Sequence, residues 1–223
     1  MGCGWRVGGL AGVGATAAAV VATRWHRRWG ATDEEVEAVL VGDELVAEPA
    51  QQCTRGITID AAPEQVWPWL VQIGADRGGF YSYDWLENLF GLGIHSADRI
   101  VPAWQQRQVG DLVNADAAGS AGWYVMEIRP NRALVLQVAN TRAERPLRRD
   151  ELLRWEFLWT FALADGPNGT TRLLVRERVA FGRAATRLAM APVGLISFVM
   201  TRRMLRGIKR RVEAAPTSAE TGR

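Results

Sequence analysis

Apolar and polar residues alternate through Thr54-Arg55-Gly56-Ile57-Thr58-Ile59-Asp60, the period of a strand with one buried face. Pro63-Glu64 then opens a helix that the pattern carries to Ile73, with Val66, Leu70 and Ile73 on one face. Pro68 bends that helix, Gly74 ends it, and Gly78-Gly79 is expected to act as a hinge. A second short helix is predicted from Ser82 to Phe90, with Asp84 in its first turn and Gly91 as its stop. Its apolar side carries Trp85, Leu86, Leu89 and Phe90. Strand patterns follow in series at Asp111 to Asn114, Trp123 to Arg129, Ala133 to Ala139, Arg154 to Ala164 and Thr170 to Ala180. Pro130-Asn131 and Asp165-Gly166-Pro167-Asn168-Gly169 supply tight turns, so consecutive strands should pair antiparallel. The last element is an amphipathic helix from about Thr186 to Glu213. Leu188, Leu195, Phe198, Val199, Leu205, Ile208 and Val212 recur along it at helical spacing. Pro192 and Gly194 bend it or delay its start.

Ahead of this pattern, residues 7–22 are uncharged and rich in Gly and Ala. With Trp5 and Trp25 as interfacial ends, residues 1–29 read as a single-pass membrane anchor. Arg24, Arg27 and Arg28 behind the run favour a cytoplasmic domain. A cleaved signal peptide, with Val20 and Ala22 before the cut, and a dispensable helix are the alternatives. Residues 30–52 form a connector. There Thr32 and Glu35 make a capping box for a helix to about Leu40, and Gly42-Asp43 turns the chain. Residues 53–213 make the domain, and the small, polar tail 214–223 is expected to be disordered.

A meander with one apolar face needs a cover, and the C-terminal helix is the element long enough to provide it. The order predicts an α+β, helix-grip (START-like) fold, with a curved antiparallel sheet wrapped around a long C-terminal helix and an N-terminal hydrophobic helix in front. One helix covers a strip only ~10 Å wide, so space should remain between it and the sheet. Trp155, Phe157, Trp159 and Phe161 alternate onto one face of their strand, either as plain aromatic core or as the wall of that space.

The stretch Ile57-Thr58-Ile59-Asp60-Ala61-Ala62-Pro63-Glu64-Gln65-Val66-Trp67-Pro68-Trp69-Leu70 resembles the opening of the SRPBCC superfamily, in which a strand runs into a helix start of this kind. That superfamily includes START-related, polyketide cyclase/dehydrase-like and coenzyme Q-binding proteins. The segments Gly78 to Asn88, Ile94 to Ile100 and Met204 to Lys209, with Arg28 to Glu35 behind a hydrophobic segment, resemble an uncharacterised, membrane-anchored bacterial branch of it. The resemblance spans about Arg24 to Arg211. It implies the fold and a hydrophobic cavity, and it leaves the function open among carriers, cyclases, hydrolase-like enzymes and receptors.

Composition changes this picture little. The ten tryptophans suit large apolar walls, and Lys209 is the single lysine. The pI is about 9.3, but the formal net charge is only +3 and no basic stripe is interleaved with aromatics outside the last helix. Nucleic acid is therefore not expected as a partner. Cys3 and Cys53 make neither a disulfide framework nor a zinc set. No motif implies a metal or a cofactor, and nothing sets an oligomeric state.

Phe80, Tyr81, Tyr83, Trp85 and Trp104 are expected to form an aromatic gate at the cavity mouth, or else to cap the core. His95 and Asp98, three residues apart, would share a face on a helical turn and act as an acid/base pair. The bland alternative is a turn held by structural hydrogen bonds through Ser96, Asp98 and Arg99. Glu177 shares a strand face with Leu173, Val175 and Val179, so its carboxylate is placed to meet a ligand, act as a general acid, or pair with an arginine at the sheet edge. The ligand set is thus Phe80, Tyr81, Tyr83, Trp85, His95, Trp104, Trp155, Phe157, Trp159, Phe161 and Glu177, with His95, Asp98 and Glu177 as catalytic candidates. The run Arg202 to Arg211 suits anionic headgroups or a solvated helix face. The first functional expectation is a membrane-tethered protein that binds or transports a hydrophobic small molecule, such as a lipid, isoprenoid quinone or polyketide-like compound. A cyclase/dehydratase-like enzyme and a module docking a membrane partner are the others.

Overall fold

The computed structural model describes residues 25–148, 155–189 and 191–215. Residues 1–24 of the hydrophobic segment expected at 1–29, and residues 216–223 of the tail expected at 214–223, lie outside the described residues, and no described helix is long and apolar enough to cross a membrane.

The chain runs α1 (Asp33–Glu37), a 3₁₀ turn (Asp43–Val46), β1 (Gln51–Ile59), α2 (Pro63–Val71), α3 (Asp84–Leu89) and a 3₁₀ turn (Pro102–Trp104). It continues through β2 (Leu112–Asn114), β3 (Gly122–Arg129), β4 (Ala133–Asn140), β5 (Arg145–Pro146) and β6 (Trp155–Asp165). A turn at Pro167–Gly169, β7 (Thr171–Phe181), α4 (Ala184–Ala189) and α5 (Ala191–Ala214) complete it. The strands form one curved antiparallel sheet in the order β1-β7-β6-β4-β3-β2, with β5 paired to β4. Both expected turns close hairpins, and each needs a left-handed residue, Asn131 (φ 60°) and Asn168 (φ 57°), which asparagine tolerates.

Two helices stop short of their expected ends, for a shared reason. α1 opens on the capping box, Thr32 N to Glu35 Oε2 at 2.8 Å and Glu35 N to Thr32 Oγ1 at 3.2 Å. It ends at Glu37 because the Arg176 guanidinium donates to the carbonyls of Glu35, Val36 and Ala38. α2 ends at Val71 with Arg107 donating to the Val71 and Ile73 carbonyls, both at 2.7 Å. In each case a distant arginine satisfies the orphan carbonyls and suits the negative end of the helix dipole. The two-residue β5 carries no periodicity and was not anticipated. The C-terminal helical region is described as α4 over Ala184–Ala189 and α5 over Ala191–Ala214.

Two apolar clusters lie on opposite sides of the sheet. The larger packs Met204, Leu205, Ile208 and Val212 of α5 against Ile59, Leu70, Phe161, Leu173 and Val175. The smaller lies under the connector and joins Val46, Val135, Leu158 and Ala180. The outer face of β7 alternates Arg172, Arg176 and Arg178, and all three hold the connector. Arg172 pairs with Glu35 at 2.6 Å, Arg176 with Asp43 at 2.6 Å, and Arg178 donates to the Val46 carbonyl at 3.0 Å. The strands β6 and β7 are thus covered on both faces.

Candidate functional site

Between the inner face of β3, β4, β6 and β7 and the Val193–Met204 half of α5 lies an open cavity of about 1000 Å³. Its wall is an aromatic chain. Trp155 and Phe157 have ring centroids 5.9 Å apart, Phe157 and Trp159 6.4 Å, Trp159 and Trp123 5.3 Å, and Trp123 and Phe80 5.8 Å. Leu147, Val179, Phe181, Met200 and Met204 fill the gaps. Phe161 is not part of this wall. It lies fully buried beneath it, its ring 4.8 Å from Trp159.

The polar end of the cavity is built on Glu177. Its Oε1 accepts from Arg55 Nη1 at 2.8 Å, Ser197 Oγ at 2.7 Å and Thr201 Oγ1 at 2.9 Å, and Oε2 accepts from Ser197 Oγ at 2.8 Å. Arg55 is wholly buried on the edge strand β1, donates through Nε to the His26 carbonyl at 3.0 Å, and lies 5.6 Å over the Phe198 ring. Its Nη2 has no partner. Cys53 faces Glu177 in the β1–β7 register, and burial, followed by the Glu177 charge, pushes its thiol up. Glu177 pairs with an edge-strand arginine, as the structural reading expected, and its side chain also lines the cavity.

Ser197 and Thr201 escaped the sequence reading, although two hydroxyls at i and i+4 among the apolar positions of α5 are a usable signal. Arg55 carried a signal as well, a charge on the Cys53–Ile57–Ile59 face of β1. Only the strand register joins it to Glu177.

At the mouth, α3 is turned over relative to expectation. Trp85, Leu89 and Phe90 are 69%, 72% and 72% exposed, while Glu87 is 5% exposed and lines the cavity. The cause is hydrogen bonding to the irregular segment 94–96. Asp84 accepts from Ser96 N at 2.7 Å and Ser96 Oγ at 2.6 Å, and the Asn88 amide exchanges two bonds with the Ile94 backbone. Asp84, Glu87 and Asn88, at i, i+3 and i+4, therefore form the inner face. In a helix of six residues these bonds outweigh the apolar stripe. Burial, with the Asp84 charge adding to it, pushes the Glu87 carboxyl up to about 7.

The expected aromatic gate divides. Phe80 alone of that set lines the cavity. Tyr81 is buried, donates to the Trp69 carbonyl at 3.0 Å, and has its hydroxyl pushed up by burial. Tyr81, Tyr83 and Trp85 instead border a separate, smaller cleft with Arg203, Arg210 and Arg211. Trp104 lies in its 3₁₀ turn, away from both, its carbonyl accepting from Arg77. His95 and Asp98 do not form the helical pair. Their segment is irregular, His95 is exposed and lines neither cavity, and Asp98 pairs with Arg211 at 2.9 Å. The Gly78-Gly79 hinge is instead a point of close approach. Gly79 exchanges two backbone bonds with Gly74, and a Cβ there would meet the His95 carbonyl oxygen at 2.8 Å. Among the described residues no group of three or more His, Cys, Asp or Glu side chains is placed to hold a metal.

No protein-family description matches the chain, and no curated protein matches it. Solved structures similar to it include protein MLL2253 from Mesorhizobium loti, with 15% identity and a TM-score of 0.43 over 75% of this chain and 100% of that one. A protein from Arthrobacter aurescens matches with 15% identity and a TM-score of 0.42, over 84% and 97% of the two chains. DynU16, from the dynemicin biosynthetic locus, matches at 15% identity and a TM-score of 0.40, over 71% of this chain and 47% of its own. Neither ligand nor activity passes to this chain from likenesses of this degree.

Proposed function

We propose that this protein is a helix-grip, START-like binding domain that shelters a hydrophobic small molecule between its sheet and α5. The observation that carries the reading is the aromatic-walled cavity of about 1000 Å³, a size that takes a drug- or lipid-sized molecule. Burying ~300 Å² of ligand apolar surface is worth roughly 7 kcal/mol before ordering costs, at ~25 cal/mol per Å². The Glu177–Ser197–Thr201 cluster would orient a polar end of the ligand. A membrane tether through the N-terminal segment belongs to the same proposal. It draws support from Trp85, Leu89 and Phe90, exposed at the mouth beside the Arg203 and Arg210 cleft, since apolar groups flanked by cations suit an anionic bilayer surface.

A cyclase/dehydratase-like enzyme is the second reading. Glu87 favours it, because a carboxyl that titrates near neutrality in a cavity wall suits acid/base work. The docking-module reading needs no cavity and gains nothing from one.

Native mass spectrometry of the purified full chain tests the binding reading. A reproducible extra mass that dissociates as a lipid-like species is the expected result. A clean apo mass, together with tryptophan emission indifferent to every lipid class added, would sink it.

A further inference from the structure

Glu87 stands apart from the other polar groups around the cavity. Its neighbours on α3 are occupied, Asp84 by Ser96 and Asn88 by Ile94. Its own Oε2 is buried without a hydrogen-bond partner, and its side chain makes no ion pair or hydrogen bond among the described residues. Among the described residues the other charged groups lining the same cavity are Asp116 in the loop after β2, Arg142 in the β4–β5 turn and Glu177 on β7, and the Asp84 charge acts on Glu87 from α3 itself. Asp116 accepts from Ser120 N and Oγ, Glu177 is paired with Arg55, and Arg142 is exposed to solvent. Among the described residues no buried cation offsets a charge on Glu87.

We infer that Glu87 is the donor that fixes a carbonyl oxygen of the bound molecule, so that the ligand class is an apolar compound bearing a ketone or ester group. The inference rests on the binding reading above. A neutral carboxyl in an apolar wall lacks an acceptor, and a buried donor left unpaired is unfavourable until a ligand oxygen meets it. A pure hydrocarbon fills the volume and leaves that donor unmet. Because the donor form is the protonated one, the preference has a pH sign: present below about 7, lost as Glu87 ionises above it.

The test uses two probes of similar shape, 2-acetyl-6-hexylnaphthalene and 2-hexylnaphthalene, titrated into the full chain at pH 5.5 and 8.5 and read by tryptophan emission. The ketone should bind about tenfold more tightly at the lower pH, the order expected for one buried hydrogen bond, and the hydrocarbon equally at both. Glu87→Gln, which keeps an N–H donor, should hold the ketone affinity and flatten its pH dependence. Glu87→Leu should erase the ketone's advantage while leaving hydrocarbon binding intact, which also reports that the cavity has folded. A ketone that binds without pH dependence and is indifferent to Glu87→Leu overturns the inference while the cavity reading stands. Binding of neither probe overturns the cavity reading itself.

Discussion

Arg55 is wholly buried and Glu177 nearly so, and each is the other's charge partner at 2.8 Å. Ser197 and Thr201 supply further donors to the carboxylate, and the Arg55 guanidinium loses one solvating direction to the Phe198 ring. Such a pair is weak evidence for stability as a whole, but removing one member strands the other in the interior. Glu177→Ala should therefore lower stability by about 3 kcal/mol in urea unfolding, and Arg55→Met/Glu177→Met should regain most of it. Equal loss in the single and double variants would mean that water, not the pair, solvates this end. Glu177 was legible in the sequence because one carboxylate interrupts an apolar strand face. Its partner was not, because pairing depends on a β1–β7 register set 122 residues apart.

At the scale of elements, the grip of α5 on the rest of the chain depends on one close approach. A Cβ at Gly207 would collide with the Tyr81 carbonyl oxygen and press on the Tyr81 side chain. Tyr81 itself holds a left-handed backbone at φ 56°, with its ring edge-on to Trp69 and under the Arg211 guanidinium. The segment leading into α3 thus has little freedom to retreat. Gly207→Ala should destabilise the fold by about 1–3 kcal/mol despite the better helix propensity of alanine, as urea unfolding can measure. A stabilised variant would show that the contact is looser than the geometry implies. The same packing explains why α3 defied its sequence. Periodicity pointed Trp85, Leu89 and Phe90 inward, but the bonds that Asp84 accepts from Ser96 and that Asn88 exchanges with Ile94 turned the helix over.

At the scale of the whole molecule, the sheet is a middle layer. α5 covers one face, and residues 30–47 cover part of the other through Val46 and the three outer arginines of β7. Gly56 N also donates to the Trp29 carbonyl at 3.1 Å, which ties the start of the described chain to the edge strand. A chain beginning at Gln51 keeps every strand but leaves Arg172 and Arg176 without their carboxylates and uncovers Val135 and Leu158. It should unfold at least about 3 kcal/mol more easily than one beginning at Trp25, measured by urea titration of both. Equal stability would reduce the connector to a passive tether.

The sequence by itself determined the order of the helices and of every strand but β5, the two hairpin turns, the inward aromatic face of β6 and the carboxylate at Glu177. Each of these rests on short-range periodicity or turn chemistry, which neighbouring residues suffice to specify. Tertiary structure alone decided which polar groups meet. It joined Arg55, Ser197 and Thr201 to Glu177, brought Glu87 to the cavity, kept His95 at the surface, and ended α1 and α2 with arginines from distant segments. Those outcomes follow from register, from long-range hydrogen bonds and from the need to satisfy buried polar atoms, and none of these has a period along the chain.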